Sequence, residues 1–167
     1  MLAYQAGDAP AFDRLYQRHR AALYRFLLRG CSNRAQAEDL FQDVWMNVIK
    51  ASHNYQPSAR FSTWLYRIAH NRLVDAYRQH KPTTVLDDEI LDAQAGPDAV
   101  HGNRELAQRL ERAIARLPLD QRTAFLLQEE RALSLEEIAS VTGVGRETVK
   151  SRLRYALQKL KGALDEP

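Results

Sequence analysis

The sequence predicts an all-α protein of two small helical domains joined by an extended acidic linker. Three observations predict it. Apolar residues recur at three- and four-residue steps through most of the 167 residues, and no convincing alternating strand interrupts them. The few glycines and prolines sit between the periodic segments. Charge is unevenly spread: residues 1–80 hold 11 Lys and Arg against 6 Asp and Glu, residues 81–105 hold 2 against 6, and residues 106–167 hold 11 against 9. Two basic blocks around an acidic strip suggest two nucleic-acid-facing modules on a tether. The expected division is 1–81, 82–103 and 104–167.

The first helix is expected over about 9–29, where Phe12, Leu15, Tyr16, His19, Leu23, Phe26 and Leu27 share a face. His19 reads as a tolerated core histidine, and Gly30 as the helix terminator. A second helix over about 34–51 has Asn33 as N-cap and Gln36 placed for a capping box. Ala37, Leu40, Phe41, Val44 and Val48 form its inner stripe. Glu38, Asp39, Gln42 and Asp43 form an acidic, amide-bearing outer patch.

A third helix is expected from a cap at Ser62 to about His80. Trp64, Leu65, Ile68, Ala69, Leu73 and Ala76 supply its apolar side, and Arg67, His70, Asn71, Arg72, Tyr77 and Arg78 a basic, aromatic side. Residues 82–103 lack periodicity and contain Pro82, Asp87-Asp88-Glu89 and Gly96-Pro97, as an extended tether would. The helical pattern resumes at Arg104, stops at Pro118, and continues over Asp120–Arg131.

The most informative segment is Ser134–Leu153. Ser134 and Glu137 make a capping box, Ala139 is small enough for a close helix crossing, Gly143 allows a tight turn, and Val149 and Leu153 anchor the second helix to the core. Helices over Leu135–Thr142 and Arg146–Leu164 then form a helix-turn-helix, whose second helix enters a major groove by its N-terminal part. That helix carries Arg146, Lys150, Arg152, Arg154, Lys159 and Lys161. Such side chains suit phosphates or guanine acceptors, and Ser151 can donate to a base or a phosphate.

Other classes find little support. Gly143-Val144-Gly145 follows no strand and lacks a third glycine, so it is not a nucleotide loop. One cysteine and five scattered histidines give no metal spacing, and no catalytic constellation appears, so neither a cofactor nor a metal is expected. A hydrolase built on Asp39, Asp43 and His70 would need groups from separate elements. No apolar run nears the roughly 20 residues of a membrane span, and the start lacks a signal-peptide pattern, so the cytosol is expected. Cys31 reads as a small buried apolar residue.

Four segments in order resemble the extracytoplasmic-function sigma factors of bacterial RNA polymerase: Ala6-Gly7-Asp8 with Ala11-Phe12-x-x-Leu15-Tyr16; Ala37–Trp45; Phe61–Asn71; and Thr148–Leu153. The resemblance implies an alternative sigma factor, not an enzyme, that binds core polymerase and directs promoter-specific initiation. It assigns Asp39, Gln42 and Asp43 to the clamp of the largest polymerase subunit. Trp64, Arg67, Asn71, Arg72 and Tyr77 go to the −10 element, with Asn71 at a flipped-base pocket and Trp64 beside it. Arg146, Thr148, Lys150, Ser151, Arg152, Arg154 and Tyr155 go to the −35 element. It also implies a linker threading toward the RNA exit path and an anti-sigma factor as partner. Glu147 and Tyr155 depart from the family pattern, where glycine and arginine are common. Met1 lies close to the first motif, which leaves open a missing helical turn or a different start. The alternative is a stand-alone dimeric helix-turn-helix regulator binding a palindrome.

Overall fold

A computed structural model of the chain describes residues 1–31, 33–79 and 101–165. The described residues are helical, with α1 at Leu2–Gln5, α2 at Ala9–Gly30, α3 at Arg34–Ala51 and α4 at Phe61–Gln79. The C-terminal unit contains α5 at His101–Ala115, α6 at Leu119–Arg131, α7 at Leu135–Thr142 and α8 at Arg146–Asp165. A 3-10 turn at Ser52–Asn54 follows α3. The acidic strip over 82–100 and the stop at Lys81-Pro82 lie outside the described residues.

Helices α2, α3 and α4 pack around Leu23, Phe26, Leu27, Val44, Val48, Leu65 and Ala69. Trp45 is 5% exposed and sits among Phe12, Tyr16 and Phe41, its ring centroid 5.9, 4.9 and 6.4 Å from theirs, all edge-on. Edge-on pairs set the positive rim of one ring against the negative face of the next and fix how helices face each other. Phe26 meets Tyr66 in the same way at 5.2 Å and ties α2 to α4. The short α1 is held by Gln5, whose side-chain amide donates to the carbonyls of Ser52 and Tyr55.

Gly30 does not terminate α2 by a left-handed turn. It is the last residue of the helix, and Cys31 beyond it is extended, at φ −89° and ψ 169°. The glycine is there because a Cβ would lie 2.6 Å from Cδ2 of Leu73. Leu73 is 3% exposed and has little room to yield. The Ser62 cap is likewise displaced, because α4 already starts at Phe61. Helix α5 starts at His101, before Arg104, and takes in Gly102 in its first turn. Burial pushes the Cys31 thiol up to about 12, as suits a buried apolar residue.

In the C-terminal unit, Ile114, Leu117, Leu126, Leu127, Ile138, Val141, Val149, Leu153, Ala156 and Leu160 form the core. Helix α6 ends on Ala132, a non-glycine residue in the left-handed conformation at φ 50°. The two units pack together: α4 lies along α7, and α6 against α2. Arg122 on α6 joins them. Its guanidinium donates to the carbonyls of Ala115 and Leu117 at the end of α5, the latter at 2.9 Å, and to that of Gly30 at 3.3 Å. Arg29 pairs with Glu111 across the same boundary.

Gly30→Val is expected to lower the unfolding free energy by about 2 kcal/mol through overpacking. Adding Leu73→Ala should recover part of that loss. A double-mutant cycle by urea denaturation checks the coupling.

Candidate nucleic-acid and polymerase interface

The outer face of α3 carries Asp39, Gln42 and Asp43, all exposed. Asn33 caps that helix, its side chain accepting from the Gln36 N–H at 2.8 Å, so the patch stands on a fixed first turn. The side chain of Asn47 donates to the carbonyl of Asp43 at 2.7 Å and to its carboxylate at 3.2 Å. Asp43 also meets Arg72 of α4 at 3.7 Å, and Arg72 meets Asp75 at 3.3 Å. The acidic patch and the basic helix are therefore one continuous surface.

On α4, Trp64 and Asn71 are two helical turns apart and share a face. Asn71 is exposed. Trp64 is half-buried, with its ring centroid 4.9 Å from Tyr55 and 5.8 Å from Phe61, so it anchors the loop before α4 while keeping an accessible edge. Tyr77 is 42% exposed near the end of the helix.

Arg67 is engaged elsewhere. Its guanidinium donates to the carbonyl of Ser140 on α7 at 2.7 and 3.0 Å and to the Ser140 hydroxyl at 2.9 Å. Glu137, one turn earlier on α7, accepts from Thr63 at 3.4 Å and pairs with Arg60 at 3.5 Å. His70 lies on the same side of α4, 7% exposed.

The helix-turn-helix has the predicted chemistry. Ser134 accepts from the Glu137 N–H at 3.2 Å, and Glu137 accepts from the Ser134 N–H at 2.9 Å, completing the capping box. That second bond is the main reason the Glu137 carboxyl is held below its ordinary range, with Arg60 adding to it. Gly143 ends α7 at φ 69°, a left-handed backbone that a glycine adopts without steric cost. On α8, Val149 and Leu153 face the core at 0% and 5% exposure.

The DNA-reading candidates divide into two groups. Arg146, Thr148, Lys150, Arg154 and Tyr155 are exposed, and Ser151 is half-buried. Arg146 is held at 2.6 Å by Glu136 and touches Glu147 at 3.5 Å, while Lys150 reaches Glu147 at 3.9 Å. Glu147 therefore lies between two cations, which offsets the repulsion a lone carboxylate would meet from phosphate. Arg154 stacks over the ring of Tyr155 at 5.0 Å, so Tyr155 supports a neighbouring cation. Arg152 instead turns toward α6, where it binds Asp120 at 2.7 Å with its side chain 21% exposed. In this arrangement it braces the recognition helix. Its position three residues after Val149, on the edge of the inward stripe, carries that signal in the sequence. Arg60, Asp120, Glu137 and Ser140 carry no sequence mark of the roles they take between elements.

Among the described residues, no His, Cys, Asp and Glu cluster could hold a metal, and no helix is long and apolar enough to cross a membrane. The two halves match two protein families: Sigma-70 region 2 over residues 15–83 and Sigma-70, region 4 over residues 107–160. SigM of Mycobacterium tuberculosis, an ECF RNA polymerase sigma factor, is 32% identical over 162 residues, 96% of this chain and 80% of its own length. The ECF factor RpoE of Cereibacter sphaeroides is 36% identical over 165 residues, covering 92% and 86%. CarQ of Myxococcus xanthus, an RNA polymerase sigma factor, is 32% identical over 169 residues, covering 99% and 96%. The fold matches that of a Bartonella quintana sigma factor RpoE, solved in complex with the anti-sigma factor NepR. The TM-score is 0.75 at 24% identity, over 93% of this chain and 98% of that one. The chain belongs to the extracytoplasmic-function family of RNA polymerase sigma factors. It is an alternative sigma factor that directs transcription, and the stand-alone regulator is not favoured, because both halves match sigma domains.

Ser134→Ala is expected to cost about 1 kcal/mol by removing one half of the capping box. Thermal melts of the full chain check it, and the C-terminal unit should be the part that loses amide protection.

Proposed function

We propose that the exposed edge of α3 is the polymerase-docking surface and that the adjoining face of α4 takes the unpaired −10 strand. The observation that carries this reading is the Asp43–Arg72 contact, which makes the two surfaces contiguous. A carboxylate patch of Asp39, Gln42 and Asp43 suits a basic helical partner such as the polymerase clamp. The strand-facing set is Trp64, Arg67, Asn71, Arg72 and Tyr77, in which aromatic edges and cations alternate as single-strand binding requires. Asn71 offers both a donor and an acceptor to an extruded base, a role that suits a protein acting on a duplex already opening.

In the C-terminal unit, Arg146, Thr148, Lys150, Ser151, Arg154 and Tyr155 face the −35 element, and Arg152 joins them only if it leaves Asp120. The acidic composition of 82–103 suits a basic channel of the polymerase. An anti-sigma factor is the inhibitory partner; the similar RpoE structure contains one, NepR, and the similar CnrH structure contains the cytosolic domain of CnrY. The protein works in the cytosol, where the polymerase is.

Transcription in vitro tests this reading, with purified protein, bacterial core polymerase and genomic fragments, and with RNA 5′ ends mapped. Discrete starts that need both protein and core are expected. Asn71→Ala should lower initiation about tenfold, equivalent to about 1.4 kcal/mol, without weakening core binding. Lys150→Ala should weaken promoter binding uniformly and reduce the salt slope by about 1. Asp43→Lys should abolish co-purification with core. Absence of any core-dependent start, with the protein alone shifting a palindromic fragment, overturns the reading.

A further inference from the structure

The boundary between the two units engages Arg67, which the strand-binding reading also needs. Arg67 already commits its Nε and Nη2 to Ser140 of α7, which leaves only its remaining donors for a DNA phosphate. Arg60 and Thr63, on and just before the same face of α4, are taken by Glu137. The packed arrangement therefore engages the N-terminal half of α4, while Asn71 and Tyr77 stay exposed.

Two histidines of the N-terminal unit lie in this boundary, and each faces an arginine of the C-terminal unit. His70 on α4 is buried, and its Nδ1 has no hydrogen-bond partner. The charged groups around it are Arg152 on α8 and Asp120 on α6. Those two already bind each other, so Asp120 is only partly available to a proton on the imidazole. His19 on α2 is half-buried, its ring 5.2 Å from Phe61, and faces Arg18 of its own helix and Arg131 at the end of α6.

We propose that the packing of the C-terminal unit on α4 is a latch that holds Arg67, and that protonation of His70 and His19 opens it. The consequence for DNA rests on the reading of α4 as the strand-facing helix; the latch itself does not.

The sign is set by the surroundings. Burial holds both imidazoles below their ordinary value of 6.5, and the facing arginines act in the same direction, with Asp120 opposing them at His70. The closed form thus binds fewer protons than the open form, in which both rings regain water. Closure is at full strength above the ordinary value. It weakens as pH falls below that value, by up to about tenfold in the closed-to-open ratio per histidine per pH unit. Glu137 does not contribute in this window, since its carboxyl stays ionised to lower pH than usual.

The test is small-angle X-ray scattering of the full chain at about pH 7.5 and about pH 5.5, within the range where histidine titrates. Amide exchange of α4 and circular dichroism are measured in parallel. The wild type should be compact at the higher pH. At the lower pH it should be expanded, with faster exchange along Thr63–His70 and unchanged helix content. The double variant His19→Gln, His70→Gln should stay compact at both, and Arg67→Ala should be more expanded than the wild type at the higher pH. A wild type with the same dimensions at both pH values overturns the proposal. So does a double variant that expands as the wild type does, or an expansion accompanied by loss of helix. None of these measurements involves polymerase or DNA. A chain that expands on acidification but starts no transcription would keep the latch and lose the functional reading.

Discussion

The Arg122 guanidinium is the joint on which the arrangement of the two units depends. Carbonyls at the C-terminal end of a helix have no partner within the helix and carry its negative dipole end. Arg122 supplies donors to two such ends at once, that of α5 within its own unit and that of α2 in the other. Leaving it unpaired in its partly buried position would be costly, and so would leaving those carbonyls bare. One side chain thus fixes the α5–α6 corner and the seat of the C-terminal unit on α2. From that seat α7 falls along α4, which brings Arg67, Thr63 and Arg60 to their partners.

A second constraint comes from Glu137. Its carboxylate closes the capping box of α7 and also reaches Thr63 and Arg60 on the other unit. The two oxygens of one carboxylate therefore divide the work: Oε2 defines the start of the helix-turn-helix, and Oε1 contacts Thr63 and Arg60 of the other unit. A chain that separates its units keeps the cap and gives up the outer contacts. The capping box is thus independent of the contacts between the units.

Much of this is legible in the sequence because helix and core are written in periodicity. The limits of α3, α6, α7 and α8 follow from stripes such as Val149, Leu153, Ala156 and Leu160, and from caps with a side-chain mechanism at Asn33 and Ser134. The family is readable from four motifs in order. Gly30 is not, because a glycine at a helix end looks the same whether it allows a left-handed turn or admits a leucine from another helix. The four-residue α1 has no room to show a period. The seating of one unit on the other is invisible in the sequence, because it is made by Arg67, Ser140, Glu137 and Arg122, polar residues whose partners are far away in the chain. Arg152 is a partial case: its place beside the inward stripe marks it as turned toward the core, while its partner Asp120, 32 positions earlier, leaves no mark.

Ala132, at the end of α6, holds a left-handed backbone that costs a residue bearing a Cβ about 1 kcal/mol and costs glycine nothing. The fold therefore operates below the stability its own backbone permits. That reserve sits at the corner between α6 and α7, at a residue with no assigned role at polymerase or promoter. An engineer could draw on it with a single codon, making the protein more heat-resistant without changing what it recognises.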